Sequence, residues 1–365
     1  MGWSCGIVGL PNVGKSTLFN ALTATAQAQV ANYPFTTIEP NVAQLAVPDE
    51  RLERVAALAR SAAMVPTQLG FVDIAGLVKG SAKGHGLGNK FLSHIREVDA
   101  ILHVLRCFEG SGVAHVEGAI DPVRDADAVE TELILADLEH LERRAEGLRK
   151  RAHAQDADAI QTLAAIERVR QGLEKGAPAR RMSLAGVDPA HLGDLQLLTL
   201  KPLLYVCNVD EHSIAGNAHS QRLEARAKAE GTECLTISAE IEAEIAQLPT
   251  NEERQEFLKS LGLRESGLKR VIRACYRLLD LVTFFTANAK EAHAWTLPRG
   301  AKAFEAAGAV HTDFARGFIR AEVIGYEEYV ASGGEAGAKE TGLLKTEGKD
   351  YVVRDGDILF FRFQV

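Results

Sequence analysis

The chain has 365 residues, with 49 Asp or Glu against 41 Lys or Arg for a net charge of −8, and 46% of it is hydrophobic. That is the composition of an ordinary globular protein, long enough for two or three domains and for a core that needs no disulfides. The acidic balance excludes a protein that holds nucleic acid by bulk charge and confines any RNA contact to a local patch. No apolar run reaches membrane-spanning length, and the first one leads into a loop motif and does not read as a leader peptide, so a cytoplasmic location is expected.

Cys5-Gly6-Ile7-Val8 reads as a strand. It runs into Gly9-Leu10-Pro11-Asn12-Val13-Gly14-Lys15-Ser16-Thr17, which matches G-x-x-x-x-G-K-[ST], and Leu18–Leu22 resumes with helical spacing. Strand, loop and helix in that order are the context a phosphate-binding loop requires. Gly9 and Gly14 let the backbone curl so that successive N–H groups face phosphate oxygens at the positive end of the helix. Lys15 brings a point charge to the β- and γ-phosphates, Ser16 offers a hydroxyl to Mg²⁺, and Thr17 is placed for the α-phosphate. In Asn32–Pro40 a threonine can complete the Mg²⁺ shell; Thr37 is favoured, with Thr36 the alternative. The strand ending at Asp73 opens D-x-x-G, in which Asp73 holds a Mg²⁺-bound water and the Gly76 N–H reaches the γ-phosphate.

Leu77 stands after that glycine, where a water-orienting Gln is often found, so the attacking water must be positioned from elsewhere. His85, in the glycine-rich run Lys79–Asn89, and His115, after the strand Ala100–Leu105, are the candidates, since imidazole can position water near neutral pH. His103 lies inside that strand and reads as structural. Ile134, Leu138, Leu141, Ala145, Leu148 and Ala152 form a coiled-coil seam. After a break near Ala154–Asp156, Ala159, Leu163, Ile166 and Leu173 form a second stripe, which predicts a helical hairpin. Arg143-Arg144 and Arg149-Lys150-Arg151, interleaved with Glu139, Glu142 and Glu146, fit an RNA contact and a solvated face equally well.

The strand Leu203–Cys207 ends in Asn208-Val209-Asp210-Glu211, where GTPases place N-K-x-D. Glu211 in the Asp position does not suit the guanine N1–H and 2-amino group, while the Asn208 amide matches N6 and N7 of adenine; ATP is favoured over GTP. A further strand, Cys234–Ile237, ends in Ser238-Ala239-Glu240, a turn placed to close over the base. Toward the end of the chain, strands at Val282–Thr286 and Ile358–Phe363, a helix around Lys302–Ala307, the turn Arg354–Asp357 and a flexible loop at Gly333–Gly337 describe a small docking module. The five cysteines (Cys5, Cys107, Cys207, Cys234 and Cys275) include no C-x-x-C pair and read as small buried apolar residues.

The expected fold is therefore α/β: a P-loop NTPase with a doubly wound, mostly parallel sheet, an inserted α-helical coiled-coil hairpin, and a C-terminal β-grasp-like α+β domain. The expected boundaries are 1–122 with 200–280 for the nucleotide-binding domain, 123–199 for the insertion and 281–365 for the last domain. GLPNVGKST, NYPFTTIEPN, DIAGLVKG, KGHGLGN, RCFE and NVDE together resemble the Obg-like ATPase family, the YchF-type branch of the translation-factor class. The resemblance runs along essentially the whole chain, its end resembling that family's TGS domain. It implies Mg²⁺-dependent hydrolysis of ATP to ADP and phosphate, and binding to ribosomes or the large ribosomal subunit with a local rRNA contact. It also implies phosphate contacts from Asn12, Val13, Gly14, Lys15, Ser16 and Thr17, Mg²⁺ at Ser16 and Thr37, the Val209 backbone near the base, and water positioned by His115 ahead of His85. The alternatives are an Obg-type GTPase and an ATP-gated adaptor with negligible catalysis.

Overall fold

Ala100–Arg106 and Leu203–Asn208 are nearly continuous apolar runs, the pattern of strands covered on both faces, and every residue of both is buried. The structure, a computed structural model, describes residues 2–30, 41–74, 87–109 and 119–364. Its strands in chain order are β1 (Ser4–Val8), β2 (Val42–Ala46), β3 (Ala63–Val65), β4 (Gln68–Asp73), β5 (Ala100–Arg106), β6 (Leu203–Asn208) and β7 (Cys234–Ile237). They continue with β8 (Leu281–Ala287), β9 (Glu291–Pro298), β10 (Phe318–Gly325), β11 (Lys345–Glu347) and β12 (Asp357–Phe363). Among the described residues these form two six-stranded sheets. The chain divides into two compact units, one with residues up to Gln27 and Gly70–Cys275, the other with Gln44–Leu69 and the chain from Tyr276 onward.

The first sheet runs β2-β4-β1-β5-β6-β7. β4, β1, β5, β6 and β7 pair in parallel, with Gly6 beside both Val72 and Ile101, and Arg106 beside Asn208. β1 is the point where the connections diverge, to β4 on one side and β5 on the other, which opens a crevice at the carboxyl edge. The loop after β1, Asp73 at the end of β4 and Asn208 at the end of β6 all sit at that edge.

The insertion is a helical hairpin of Pro122–His153 and Ala157–Leu173. Asp121 caps the first helix by accepting from the N–H groups of Val123 and Arg124, with Pro122 in the first turn, and Asp156 caps the second by accepting from Ala159. Ile134, Leu141, Ala145, Ile166, Val169 and Leu173 pack together with Leu195 and Leu197. At its root the buried Asp137 accepts from the N–H groups of Leu198 (2.9 Å) and Thr199 (2.8 Å) and from the Thr199 hydroxyl (2.7 Å). Burial pushes this carboxyl up while the three bonds pull it down. Glu130 joins Arg180, Arg181 and Arg226, and Arg226 reaches Glu230 at 2.9 Å, so the charges around the hairpin root are paired as burial demands.

The second unit is built on the mixed sheet β11-β10-β12-β8-β9-β3. β8–β9, β10–β12 and β10–β11 are antiparallel, and β12–β8 and β3–β9 parallel. One face carries Phe285, Ala287, Ile324 and Ile358 against Leu52, Val55 and Ala56 of the helix Glu50–Ala59; the other carries Phe284, Val323 and Leu359 against Ala303 and Ala306 of the helix Ala303–Val310. Two differences from the sequence reading stand out. The segment Gln44–Leu69, expected in the nucleotide-binding domain, gives its helix and β3 to this second unit. The run Gly333–Gly337, expected to be a flexible loop, is a two-glycine turn (φ 73° and 111°) followed by the helix Glu335–Glu340, because left-handed glycines reverse the chain and allow a new helix to start.

Candidate nucleotide site

The phosphate loop owes its shape to two positions where a side chain does not fit. Gly14 has φ +87°, and a Cβ there would lie 2.1 Å from Nδ2 of Asn208; a Cβ on Gly9 would lie 2.6 Å from the Val104 carbonyl oxygen. Asn12 adopts φ +64°, a left-handed conformation that asparagine tolerates better than most residues. The helix Lys15–Val30 starts inside the motif, so its unpaired N–H groups and positive end point into the loop. Lys15 is 9% exposed and its ammonium contacts the Asp73 carboxylate, which joins the end of β4 to the loop. Ser16 is exposed and Thr17 half-buried on the first turn, while Val13 is buried and anchors the loop to the core.

Asn208 is the brace. Its Nδ2 donates to the Val13 carbonyl (2.9 Å) and its Oδ1 accepts from the Ala239 N–H (2.9 Å), and the residue is 4% exposed. One side chain thus ties the phosphate loop to the turn after β7. The role expected for it, presenting the amide to adenine N6 and N7, is replaced by this one, because both polar ends are engaged with backbone and buried. Val209 is buried and its N–H donates to the Ile237 carbonyl (2.9 Å). Asp210 folds back to accept from the His212 N–H (3.0 Å) and the Ser213 hydroxyl (3.1 Å). That leaves Glu211 as the exposed carboxylate of the tetrapeptide, 3.3 Å from His212 Nε2. Ser238 is buried and caps the helix Ala239–Gln247, its hydroxyl accepting from Ile241 at 3.5 Å.

Thr36, Thr37, Gly76, His85 and His115 lie outside the described residues. His103 is 1% exposed, and burial first, then Arg226 and Arg180, hold its imidazole down at about 3, which is a core histidine kept neutral. The sequence reading missed Asn217. Its Oδ1 accepts from the N–H groups of His219 and Ser220, and its Nδ2 donates to the Cys107 carbonyl at 2.6 Å, fastening the helix Ala218–Glu230 to the end of β5. The signal was present as Asn217-Ala218-His219-Ser220, a capping box with serine at its fourth position. Arg106 was missed too: it is 2% exposed at the carboxyl edge, with its guanidinium 4.6 Å over the Phe108 ring.

Among the described residues no helix is long and apolar enough to cross a membrane, and no His, Cys, Asp and Glu converge as a metal cluster. The family described as 50S ribosome-binding GTPase matches residues 4–159, and the family of YchF GTPase C-terminal regions, described as a protein of unknown function, matches residues 281–364. The chain is 51% identical over 365 residues to the ribosome-binding ATPase YchF of Pasteurella multocida and 49% identical over 365 residues to that of Escherichia coli O157:H7, covering all of each protein. Over 368 residues it is 50% identical to the Bacillus subtilis protein of the same name, again with full coverage. The solved Schizosaccharomyces pombe YchF GTPase superposes with a TM-score of 0.89 at 36% identity, over 99% of this chain and 98% of that one.

Proposed function

The chain belongs to the YchF family of ribosome-binding ATPases, and we propose that it hydrolyses ATP to ADP and phosphate and lets nucleotide state govern its hold on ribosomes or the large ribosomal subunit. The observation that carries the phosphate chemistry is the preset loop: Gly14 at positive φ, Lys15 at the helix start, and Asn208 holding the loop from behind. Such donors need no reorganisation when charge develops on the transferred phosphoryl group. Asn12, Val13, Gly14, Lys15, Ser16 and Thr17 are assigned to the phosphates.

The donors available for a cation are hard oxygens, the exposed Ser16 hydroxyl and the partly exposed Asp73 carboxylate, which fit Mg²⁺ and not a softer metal. Ser16 and Asp73, with Thr37, are the residues assigned to hold it. Bound there, the ion would supply positive charge to offset that of the phosphates. Lys15 stands at the start of its helix, where its ammonium can meet phosphate oxygens. Gly76 is assigned to the γ-phosphate and His115, ahead of His85, to positioning the attacking water.

Glu211 and the backbone around Val209 and Ser238 are assigned to the base, with Asn208 acting through the loop. The chain's end is read as a TGS, β-grasp-like docking domain, and the protein as cytoplasmic. Competition between ATP and GTP for a fluorescent analogue in the presence of Mg²⁺ tests the base assignment. A tenfold preference for ATP, about 1.4 kcal/mol, is expected; a preference for GTP returns the chain to an Obg-type GTPase. Replacing His115 by Ala is expected to slow hydrolysis without weakening ATP binding. Unchanged turnover removes His115 from the mechanism.

A further inference from the structure

Asn208 is one link in a longer run of hydrogen bonds. It holds the phosphate loop through the Val13 carbonyl (2.9 Å), and its own carbonyl accepts the Cys107 N–H (2.8 Å) at the end of β5. The Cys107 carbonyl in turn accepts from Nδ2 of Asn217 (2.6 Å), the cap of the helix Ala218–Glu230. Three consecutive bonds therefore lace the phosphate loop to the ends of β5 and β6 and to the start of that helix. The tetrapeptide Asn208–Glu211 also leads into the same helix along the chain, so a covalent and a hydrogen-bonded route from the nucleotide site meet there.

That helix is built to shift as one body. Asn217 and Ser220 close a capping box at its start, Gly231 ends it at φ +68°, and Leu223 and Ala227 are buried. Its 13 residues span about 20 Å. Two of its arginines tie it to the start of the hairpin. Arg222 donates to both carboxylate oxygens of Asp121, the cap of the hairpin's first helix, at 3.2 Å. Arg226 donates to Asp127 (2.6 Å), to the Val123 carbonyl (3.1 Å) and to Glu130 (3.2 Å), and within its own helix to Glu230 (2.9 Å). Arg181 also joins Glu130 (3.0 Å) to Glu230 (2.8 Å). The side chains of Arg226, Glu130 and Glu230 are only 12%, 8% and 10% exposed, so the hairpin cannot slide past this helix without leaving a desolvated charge unpaired. A second anchor of the hairpin, Asp137 on the N–H groups of Leu198 and Thr199, lies ahead of β6, at the opposite end of that strand from Asn208.

We propose that nucleotide occupancy of the phosphate loop is passed to the helical hairpin through the helix Ala218–Glu230, with Arg222 and Arg226 as the residues that hand it on. Phosphates that enter the loop fix Val13 and Gly14, and with them Asn208, Cys107 and Asn217. The tightened helix start then steadies the first turns of the hairpin through the two arginines. Neither arginine belongs to the phosphate loop or to the base tetrapeptide, so both act by position. Coupling of this kind is reciprocal: a partner that clamps the hairpin raises nucleotide affinity by the same factor by which nucleotide raises affinity for that partner. The inference rests on the nucleotide reading of the phosphate loop and assumes nothing about the ribosome.

Hydrogen exchange of the full-length protein, read by mass spectrometry with and without the β,γ-methylene analogue of ATP and Mg²⁺, decides it. In the wild type the amides of residues 121–130 are expected to exchange more slowly by about threefold or more when the analogue is bound. Arg222→Gln combined with Arg226→Lys keeps a cation beside Glu130 and Glu230 but lacks the fork that spans several partners. This double variant is expected to lose the protection while its affinity for the analogue stays within about twofold of wild type. Arg222→Gln alone, a change at an exposed pair that spares the buried charges, is expected to lose about half of it. Arg170→Gln, whose pairs with Glu167 and Glu174 lie within one helix of the hairpin, is expected to respond as the wild type does. No change at 121–130 in a wild type that binds the analogue overturns the coupling. Full protection in Arg222→Gln and in the double variant overturns the route through this helix, and a loss of analogue affinity by about tenfold in the double variant overturns the claim that the arginines lie downstream of the site. A wild type that does not bind the analogue overturns the nucleotide reading itself. Co-sedimentation with ribosomes that ignores nucleotide overturns only the control of ribosome binding, since the exchange experiment contains no ribosomes.

Discussion

The nucleotide unit and the second unit are built on sheets of equal strand number, yet they place their determinants differently. In the first, the site hangs on backbone shape, a positive φ at Gly14 and a helix that starts at Lys15, braced by one side-chain amide, Asn208, that holds two loops by bonding to their backbone. In the second, order comes from side chains packed on both faces of a mixed sheet, from Phe285 and Leu52 on one side to Phe284 and Ala303 on the other. Backbone devices leave a local signature in sequence, because few residue types tolerate them. Packing partners leave none, because an apolar stripe says that a face is buried and not what it is buried against.

The largest expected effect breaks the second unit without touching the first. Phe285 is fully buried between the helix Glu50–Ala59 and the sheet, and its ring lies 5.5 Å below the Arg51 guanidinium. Phe285→Ala should destabilise this unit by about 3–5 kcal/mol. The chain has two tryptophans, Trp3 in the first unit and Trp295 in the second, so each unit has its own fluorescent reporter. With Trp3 replaced by Phe, the Trp295 unfolding transition should move sharply to lower denaturant. With Trp295 replaced instead, the Trp3 transition should move little. Equal shifts in both would mean that the units unfold as one and that the contrast between them is not energetic.

The same contrast explains what was legible beforehand. The strands at 4–8, 100–106 and 203–208 could be read because each is a near-continuous apolar run, and the hairpin because two apolar stripes are separated by a break at Gln155, where φ is +64°. β2 was not seen, since Val42–Ala46 is a short strand with alternating burial beside a strong loop motif. The helix Glu50–Ala59 has a clear Asp49 cap and an apolar stripe, but its assignment to the second sheet depends on Phe285, Ile324 and Tyr329, far along the chain. Asn208 was recognised as a site residue by its place after a buried strand. Its partners were misjudged, because a motif specifies a residue type and not the direction in which its amide turns.

A medium effect sharpens the comparison through pH. His103 sits in β5 of the first unit with its folded pKa lowered to about 3 from a usual 6.5, chiefly by burial. Its depressed folded value means that the unfolded chain takes up the proton first as pH falls. The stability tied to the neutral ring is therefore complete above pH 6.5 and lost progressively toward pH 3. At pH 4.5 the loss should be about 2–3 kcal/mol from this group alone. His103→Phe should remove that part of the acid limb, so the difference between wild type and variant in the Trp3 transition should appear at pH 4.5 and not at pH 7. The Trp295 transition should show no such difference if the second unit unfolds on its own.

The smallest effect bears on how the first unit reads its nucleotide. If Asn208 recognised adenine directly, Asn208→Ala would weaken ATP and leave GTP nearly untouched. Its bonds to the Val13 carbonyl and the Ala239 N–H instead make it a loop support, shared by every nucleotide whose phosphates enter the loop. Removing it leaves one buried acceptor and one buried donor without partners and relaxes the turn at Gly14. Affinity for ATP and for GTP should then fall together, each by about tenfold or 1.4 kcal/mol, with the ratio between them preserved. Glu211→Asp supplies the contrasting variant, since it alters the exposed carboxylate of the tetrapeptide and leaves the loop support intact. It should change the ratio and leave the loop's hold on phosphate unchanged. An ATP-selective loss in Asn208→Ala would place base recognition back on that amide and show that it turns outward when nucleotide binds.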